Sequence, residues 1–439
     1  MAHENGTKTA GQQSGTFAWD VCVVGGAGHV GAPLSVVCAV KGFRTLIYDL
    51  NSRAMEILAN GTMPFFEEGG EALLRQALEQ RTLDFSADIA DVARSRCVVL
   101  TIGTPIDEFH NPTLRVVREC VDSLIPHISD AQTIVLRSTV FPGVTDFVRR
   151  YLASHGKHPR IAFCPERVVQ GFAIRELLNL PQIISGCTPE AEEHAAEIFS
   201  RIAPKLIRMQ TKEAEFAKLF CNAYRYVQFA ITNQFYMMVE SAGLNYRRIL
   251  DGIKEDYPRM SGLAKPGFVA GPCLYKDTLQ LAAWADDRFP LGHAAIEVNE
   301  GLPAFIVRRL SEQRPLHETT VGLLGMAFKP DSDDIRASLS YKLKKLLEFS
   351  AREVLTTDPL VKNDPALKPL DYVLERSDVL ILCVPHSAYL NLAAQKKPII
   401  DVWGALQSTQ HDGLGSEPSG VRSALGGSSN GARAVERDG

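Results

Sequence analysis

The sequence has no run of about eighteen or more apolar residues, the length a helix needs to cross a bilayer, so no membrane span is expected. Its first residues, "MAHENGTKTAGQQSGTFAWD", lack the apolar stretch of a signal peptide, which makes the cytoplasm the expected compartment. A basic excess is missing too. The formal net charge is -4 and no lysine/arginine cluster stands out, so neither nucleic acid nor a membrane surface is an expected partner. The nine cysteines are odd in number and scattered, without a CxxC, which argues for free thiols and against a disulfide framework or a metal site.

What is present is a soluble, globular composition, 45% hydrophobic and 22% charged, on a chain of 439 residues, too long for one ordinary core. "DVCVVGGAGHVGAPLSVVCAVKGFRTLIYDLN" reads as strand, glycine turn, helix, strand, with the helix stopping before Lys41-Gly42. "RCVVLTIGTP", "TIVLRSTV" and "RIAFCPER" are further apolar runs that end in polar or Gly/Pro-rich segments. Strands alternating with helical stretches predict a parallel sheet covered on both faces. Past Thr211 the pattern is helical for over thirty residues, with no glycine or proline until Gly243. Then "TTVGLLGMAFKP", "EVLTTDPL" and "SDVLILCVPHSAY" repeat the opening theme.

The expected fold is therefore α/β: two Rossmann-like, doubly wound parallel-sheet domains joined by a long central helix and a helical middle. The expected boundaries are a disordered segment 1–18, a first domain 19–210, a helical region 211–312, a second domain 313–406 and a Gly/Ser-rich disordered tail 407–439. The long helix exceeds what a domain of this kind needs for its own core. An apolar face buried against a second copy, as a C2 homodimer, is expected.

Gly26, Gly28 and Gly31 form G-x-G-x-x-G between a strand and a helix, and Asp49 closes the second strand about 20 residues later. In that context the glycines let the backbone approach a pyrophosphate at a helix N-terminus, and the acid can accept hydrogen bonds from a ribose. Asp49 would repel a 2′-phosphate and so favours NAD over NADP, although Arg53 is near enough in sequence to pull the other way. A second stretch, "VAGPCLYKDTLQL", sets Cys273 after a turn and Asp277 four residues on, on one helix face. A half-buried core cysteine would look the same.

Seven ordered motifs, "GGAGHVGAPLS", "TIGTPIDE", "RSTVFPGVT", "CPERVVQG", "EFAKLFCNAYR", "KPGFVAGPCLYKD" and "GLLGMAFKPDSDDIR", resemble the nucleotide-sugar 6-dehydrogenase family from about Asp20 to Ala405. The resemblance implies a four-electron oxidation of the C6 alcohol of a nucleotide-linked sugar to a carboxylate, with two NAD per turnover. It implies Cys273 as nucleophile, Lys218 and Asn222 at the oxyanion, Asp277 working with the lysine on water, Glu166 as acid/base and Thr139 holding water. By the same resemblance, Gly26, Gly28, His29, Val30, Gly31, Asp49, Thr104 and Thr139 bind NAD. Glu166, Arg167, Lys218, Arg259 (reaching from a partner subunit), Gly271 and Lys329 bind the nucleotide sugar.

Three positions depart from the family pattern. Ala270 stands for a glycine, Gln170 for a second glutamate found in some members, and Trp403 for an arginine that touches nucleotide or sugar in some members. The substrate signals point two ways: "CPERV" is more like the N-acetylhexosamine enzymes and "CLYKDTLQL" more like the UDP-glucose enzymes, and a thymidine carrier remains open. Two rival readings stay beside this one. One is a two-electron dehydrogenase of the 6-phosphogluconate or hydroxyacid kind; the other is a nucleotide-sugar-binding homologue without turnover.

Overall fold

The computed structural model describes residues 17–107, 113–269, 271–286, 288–392 and 397–406. The two ends expected to be disordered, apart from residues 17 and 18, and Ala270 lie outside them. The first sheet has eight strands: β1 (Trp19–Val24), β2 (Thr45–Tyr48), β3 (Leu83–Ser86), β4 (Ser95–Leu100), β5 (Thr133–Leu136), β6 (Arg160–Phe163), β7 (Gln182–Gly186) and β8 (Leu206–Arg208). Their order is β3-β2-β1-β4-β5-β6-β7-β8.

Alternation along each strand supplies two cores. Val21, Val23, Ile47, Cys97 and Val99 face one side, where the helix Gly31–Val40 packs. Cys22, Val24, Leu46, Val98 and Leu100 face the other, against the helix Val144–Ser154. Both faces are therefore covered, which is what near-continuous apolar strands require. The sheet is not parallel throughout: β6 and β7 pair antiparallel, through Ala162 with Gly186 and Phe163 with Ser185. Alternation is the same read in either direction, so the sequence carries no signal for that reversal.

The second sheet is parallel, in the order β10-β9-β11-β12, from β9 (Thr320–Leu324), β10 (Glu353–Thr357), β11 (Val379–Leu382) and β12 (Ile399–Ile400). It repeats the opening design with one difference. Asp358, just after β10, accepts from the Met326 and Ala327 amides at 2.7 and 3.0 Å, much as Asp49 after β2 accepts from Ala27 at 2.9 Å. Asp358, however, is fully buried and also takes the Leu360 and Val361 amides and His386 Nε2 at 3.0 Å. The Asp331 amide donates to His386 Nδ1, so the ring proton sits on Nε2 and faces the carboxylate. Burial pushes the Asp358 carboxyl up, but the His386 contact and the amides outweigh it and bring it to about 2. With both oxygens consumed, this acid is not available to a ribose.

Between the sheets runs the central helix, Thr211–Ser241. It starts where Glu213 reaches back to the Gln210 amide at 2.9 Å and ends where Gly243 takes φ +70°. Its buried side carries Lys218, Leu219, Asn222, Ala223, Tyr226, Ala230, Asn233 and Tyr236, spaced by three and four. This side packs on the helices Leu274–Trp284 and Pro290–Gln313. Buried Glu215 accepts the Gly143 and Thr145 amides at 2.6 and 2.8 Å, which caps the helix Val144–Ser154 and ties the central helix to the first domain.

Candidate active site

The cofactor half is built by the turn after β1. The left-handed residue is Gly25 (φ +76°), just ahead of the three-glycine motif. A Cβ on Gly26 would lie 2.6 Å from the Val23 carbonyl, and one on Gly31 would lie 2.3 Å from the Gly25 carbonyl. Those two glycines allow the strand, turn and helix to close up. Gly28 is different: its nearest neighbour is the Gly25 carbonyl at 3.4 Å, so its outer side is open for a ligand's approach. Thr101 Oγ1 donates to the Val24 and Gly25 carbonyls and fixes the turn from β4. Asp49 stands beside it, holding the Ala27 and Asn51 amides at 2.9 Å each. Val30 precedes the helix, whose N-terminus faces the same opening. The glycine cradle, the helix end and the acid together fit a dinucleotide.

The chemical half hangs on the central helix. Asn233 donates to the Gly267 carbonyl at 3.1 Å and accepts the Gly267 amide at 2.8 Å, a two-way clamp on the loop before the cysteine. Gly271 (φ +102°) carries that loop against Phe328, whose ring a Cβ would meet at 2.5 Å. Cys273 then caps the helix Leu274–Trp284, with the Asp277 amide donating to its carbonyl at 2.9 Å. Its side chain is open to the cleft, yet the surrounding protein strips enough water to push the thiol pKa up, and the Asp277 charge adds to that. Lys218 and Lys276 act in the opposite direction without overcoming it.

Lys218 is buried, and its Nζ donates to Glu166 Oε1 at 3.3 Å. Burial alone would lower its pKa, but the charges of Glu166 and Asp277 hold it above the ordinary value, so it is an ammonium at neutral pH. Glu166 is steadied by the Val168 amide at 2.8 Å. Asp277 lies close enough for its charge to act on Lys218, but its own contacts are with other residues. Asn222 Nδ2 donates to its Oδ2 at 2.6 Å, and Lys276 pairs with its Oδ1 at 2.7 Å. Lys218 reaches Glu166 instead, and Asp277 is ion-paired by Lys276, its neighbour on its own helix. Lys276 extends further, to Thr104 Oγ1 at 3.2 Å, and Thr104 donates to the Thr139 carbonyl at 2.6 Å. Asn222, Asp277, Lys276, Thr104 and Thr139 thus form one linked chain, and the Lys218–Glu166 pair and Cys273 lie close enough to feel the Asp277 charge.

Other expected residues fall elsewhere. Arg167 donates to the Pro181 carbonyl, a backbone anchor in place of an ion pair. Lys329 donates to the Gln170 carbonyl, and burial lowers its pKa. Arg259 is exposed and, within its own chain, lies 6.0 Å from the Tyr257 ring. Trp403 donates to the Cys383 carbonyl at 2.8 Å and lies flat on Gly267, beside a cavity of about 120 Å³ that Lys265, Arg247 and Asp401 also line.

Two residues of the site are not singled out by the sequence pattern. Lys276 enters there only as a substrate marker. Fully buried Arg137, in "RST", donates to the Cys164 carbonyl at 3.0 Å and to Gln182 at 3.1 Å, while Gln182 donates to the Pro165 carbonyl at 2.9 Å. The pair pins the turn that carries Glu166. An arginine inside an apolar strand run was the available signal.

Profiles of the UDP-glucose/GDP-mannose dehydrogenase family match three consecutive regions: the NAD binding domain at residues 19–203, the central domain at 212–301 and the UDP binding domain at 322–408. The chain is 26% identical over 377 residues to the UDP-N-acetyl-D-mannosamine dehydrogenase of Pyrococcus horikoshii, covering 83% of this chain and 89% of the relative. It is 26% identical over 403 residues to the NDP-N-acetyl-D-galactosaminuronic acid dehydrogenase of Ralstonia nicotianae, covering 86% and 94%. The solved UDP-D-ManNAc dehydrogenase from Pyrococcus horikoshii superposes with a TM-score of 0.83 at 25% identity, over 90% of this chain and 99% of that one.

Proposed function

The chain belongs to the UDP-glucose/GDP-mannose dehydrogenase family and is an NAD-dependent nucleotide-sugar dehydrogenase; from that premise we propose that it oxidises the C6 alcohol of a UDP-linked N-acetylhexosamine to the carboxylate through an adduct on Cys273. The observation that supports the covalent route is that Cys273, Lys218 and Asp277 lie within reach of one another's charge, with Asn222 bonded to Asp277 at 2.6 Å. The sugar is proposed from the named activities of the relatives.

Gly26, Gly28, Gly31 and Asp49 would hold NAD, and two NAD molecules bound in turn would each accept one hydride from C6, the first at the alcohol and the second at the adduct. Between those events the aldehyde is captured: the Cys273 sulfur bonds to C6, and the thiol proton passes to the former carbonyl oxygen. A neutral thiol beside an ammonium suits this step, because the Lys218 charge stabilises the oxygen as it becomes negative. The second Asn222 amide hydrogen, not used on Asp277, can donate to the same oxygen. Loss of the second hydride and of the hydroxyl proton leaves a thioester. Water then adds, the C–S bond breaks, and the acid leaves with Cys273 restored. Glu166, held by Val168 and Lys218, and Asp277 are the carboxylates placed to take protons from the alcohol and the water.

The exposed face of the central helix supports a homodimer, in which Arg259 would serve the partner's site. A panel of UDP-glucose, dTDP-glucose, UDP-N-acetylglucosamine and UDP-N-acetylmannosamine, followed by NADH, tests the substrate. The N-acetyl sugars are expected to lead in kcat/KM, and a lead by a plain glucose nucleotide would refute the acetamido assignment.

A further inference from the structure

Gln170 stands where some relatives carry a carboxylate, and its surroundings explain why an amide is needed. Its Nε2 donates to His29 Nδ1 at 3.0 Å and to Asp334 Oδ2 at 3.1 Å. Its backbone carbonyl takes Lys329. His29 lies within the glycine motif of the first domain, whereas Asp334 and Lys329 belong to the loop after β9 in the second. Everything facing the amide nitrogen is an acceptor. Asp334 is ionised, held by the Arg336 guanidinium at 2.6 to 3.0 Å and by the Arg336 amide at 2.9 Å. The His29 ring rests against Phe65, 4.0 Å between centroids, and burial together with Arg336 brings its pKa to about 4, so it is neutral and its Nδ1 can accept. Two N–H donors on one uncharged group satisfy both neighbours. The opposite amide orientation would set oxygen against the Asp334 carboxylate.

The same loop makes a second connection. The Ala337 carbonyl accepts the amide of Gly271, two residues before Cys273, at 3.3 Å. Asp331 and Ala337 sit at φ +51° and +52°, conformations that L-residues hold only when their contacts demand it. The loop 331–337 therefore joins the cofactor turn at one end and the cysteine loop at the other, and Gln170 is the side chain through which the first domain grips it.

We propose that Gln170 is a positioning residue: it fixes the glycine-rich turn to the second domain, so that NAD and Cys273 are held in one register. A glutamate in its place would face Asp334 with like charge and would present no proton to His29. Lys329 and Arg336 lie nearby as partial compensation, Asp333 adds negative charge beside His29, and Glu67 and Glu176 already act on Lys329. Acid would restore the contact in Gln170→Glu, since the like charge of Asp334 favours protonation of the introduced carboxylate, which returns a donor to the pair.

The test is hydrogen exchange of segments 26–31 and 331–337, corrected for intrinsic rates, with NAD affinity by calorimetry, on the intact wild type, Gln170→Ala and Gln170→Glu at pH 5.5 and 8. Wild type should protect both segments equally at the two pH values. Gln170→Ala should lose protection in both segments at either pH and bind NAD roughly fivefold more weakly. Gln170→Glu should show the same losses at pH 8 and recover at pH 5.5. Wild-type protection of both segments in Gln170→Glu at pH 8 would overturn the proposal, as would losses confined to one segment in both variants.

Discussion

Cys273 rests as a thiol, because the partial loss of water around it and the Asp277 charge outweigh the two lysines that favour the thiolate. Its reactivity should therefore respond to those charges in opposite senses. Asp277→Asn removes a negative neighbour, lowers the thiol pKa and should speed alkylation by iodoacetamide at pH 7.5 several-fold. Lys218→Met removes a positive one and should slow it. Mass spectrometry of the Cys273 peptide over time reads both, and equal rates in the two variants would contradict the electrostatic account. At this scale the sequence was legible where spacing sufficed. Cys273 with Asp277, and Lys218 with Asn222, share faces because they are four residues apart on helices. The Lys276 contact with Thr104 was not legible, since 172 residues separate them and only the fold brings them to 3.2 Å. Nor was the role of Gln170, whose partners come from two distant loops.

Among the elements, the central helix was the plainest in sequence. Thirty-one residues without a breaker leave few alternatives, and Gly243 marks the stop. Its outer face carries Phe220, Tyr224, Ile231, Phe235 and Met238, 42% to 65% exposed and spaced along one stripe. A stripe of that length fits the proposed homodimer, in which a second copy related by two-fold symmetry would cover it with the same residues. Replacing Phe220 and Phe235 together by glutamate should leave the fold intact and shift sedimentation from dimer to monomer. Activity should fall with it, because Arg259, exposed and in contact with Tyr257 within its own chain, is proposed to serve the partner's site. A fully active monomer at assay concentration would contradict this assembly. Less legible were the short elements: β7 reads as an apolar run with no direction, and its antiparallel pairing depends on a tertiary choice.

At the scale of the whole molecule, two similar α/β domains do different work because of what each does with one acid. Asp49 keeps a face open beside a glycine turn, whereas Asp358 is buried under four amides and a histidine. The repeat was visible in the sequence as two strands ending in aspartate. Which copy could serve a dinucleotide was visible only in the glycines of the first. The central claim is that the two domains close on a cysteine that retains the aldehyde between two oxidations. Its most direct test is the NADH formed per nucleotide sugar consumed to completion, with the product analysed by mass spectrometry. The account predicts two NADH and a C6 carboxylate; one NADH with an aldehyde or ketone product would contradict it.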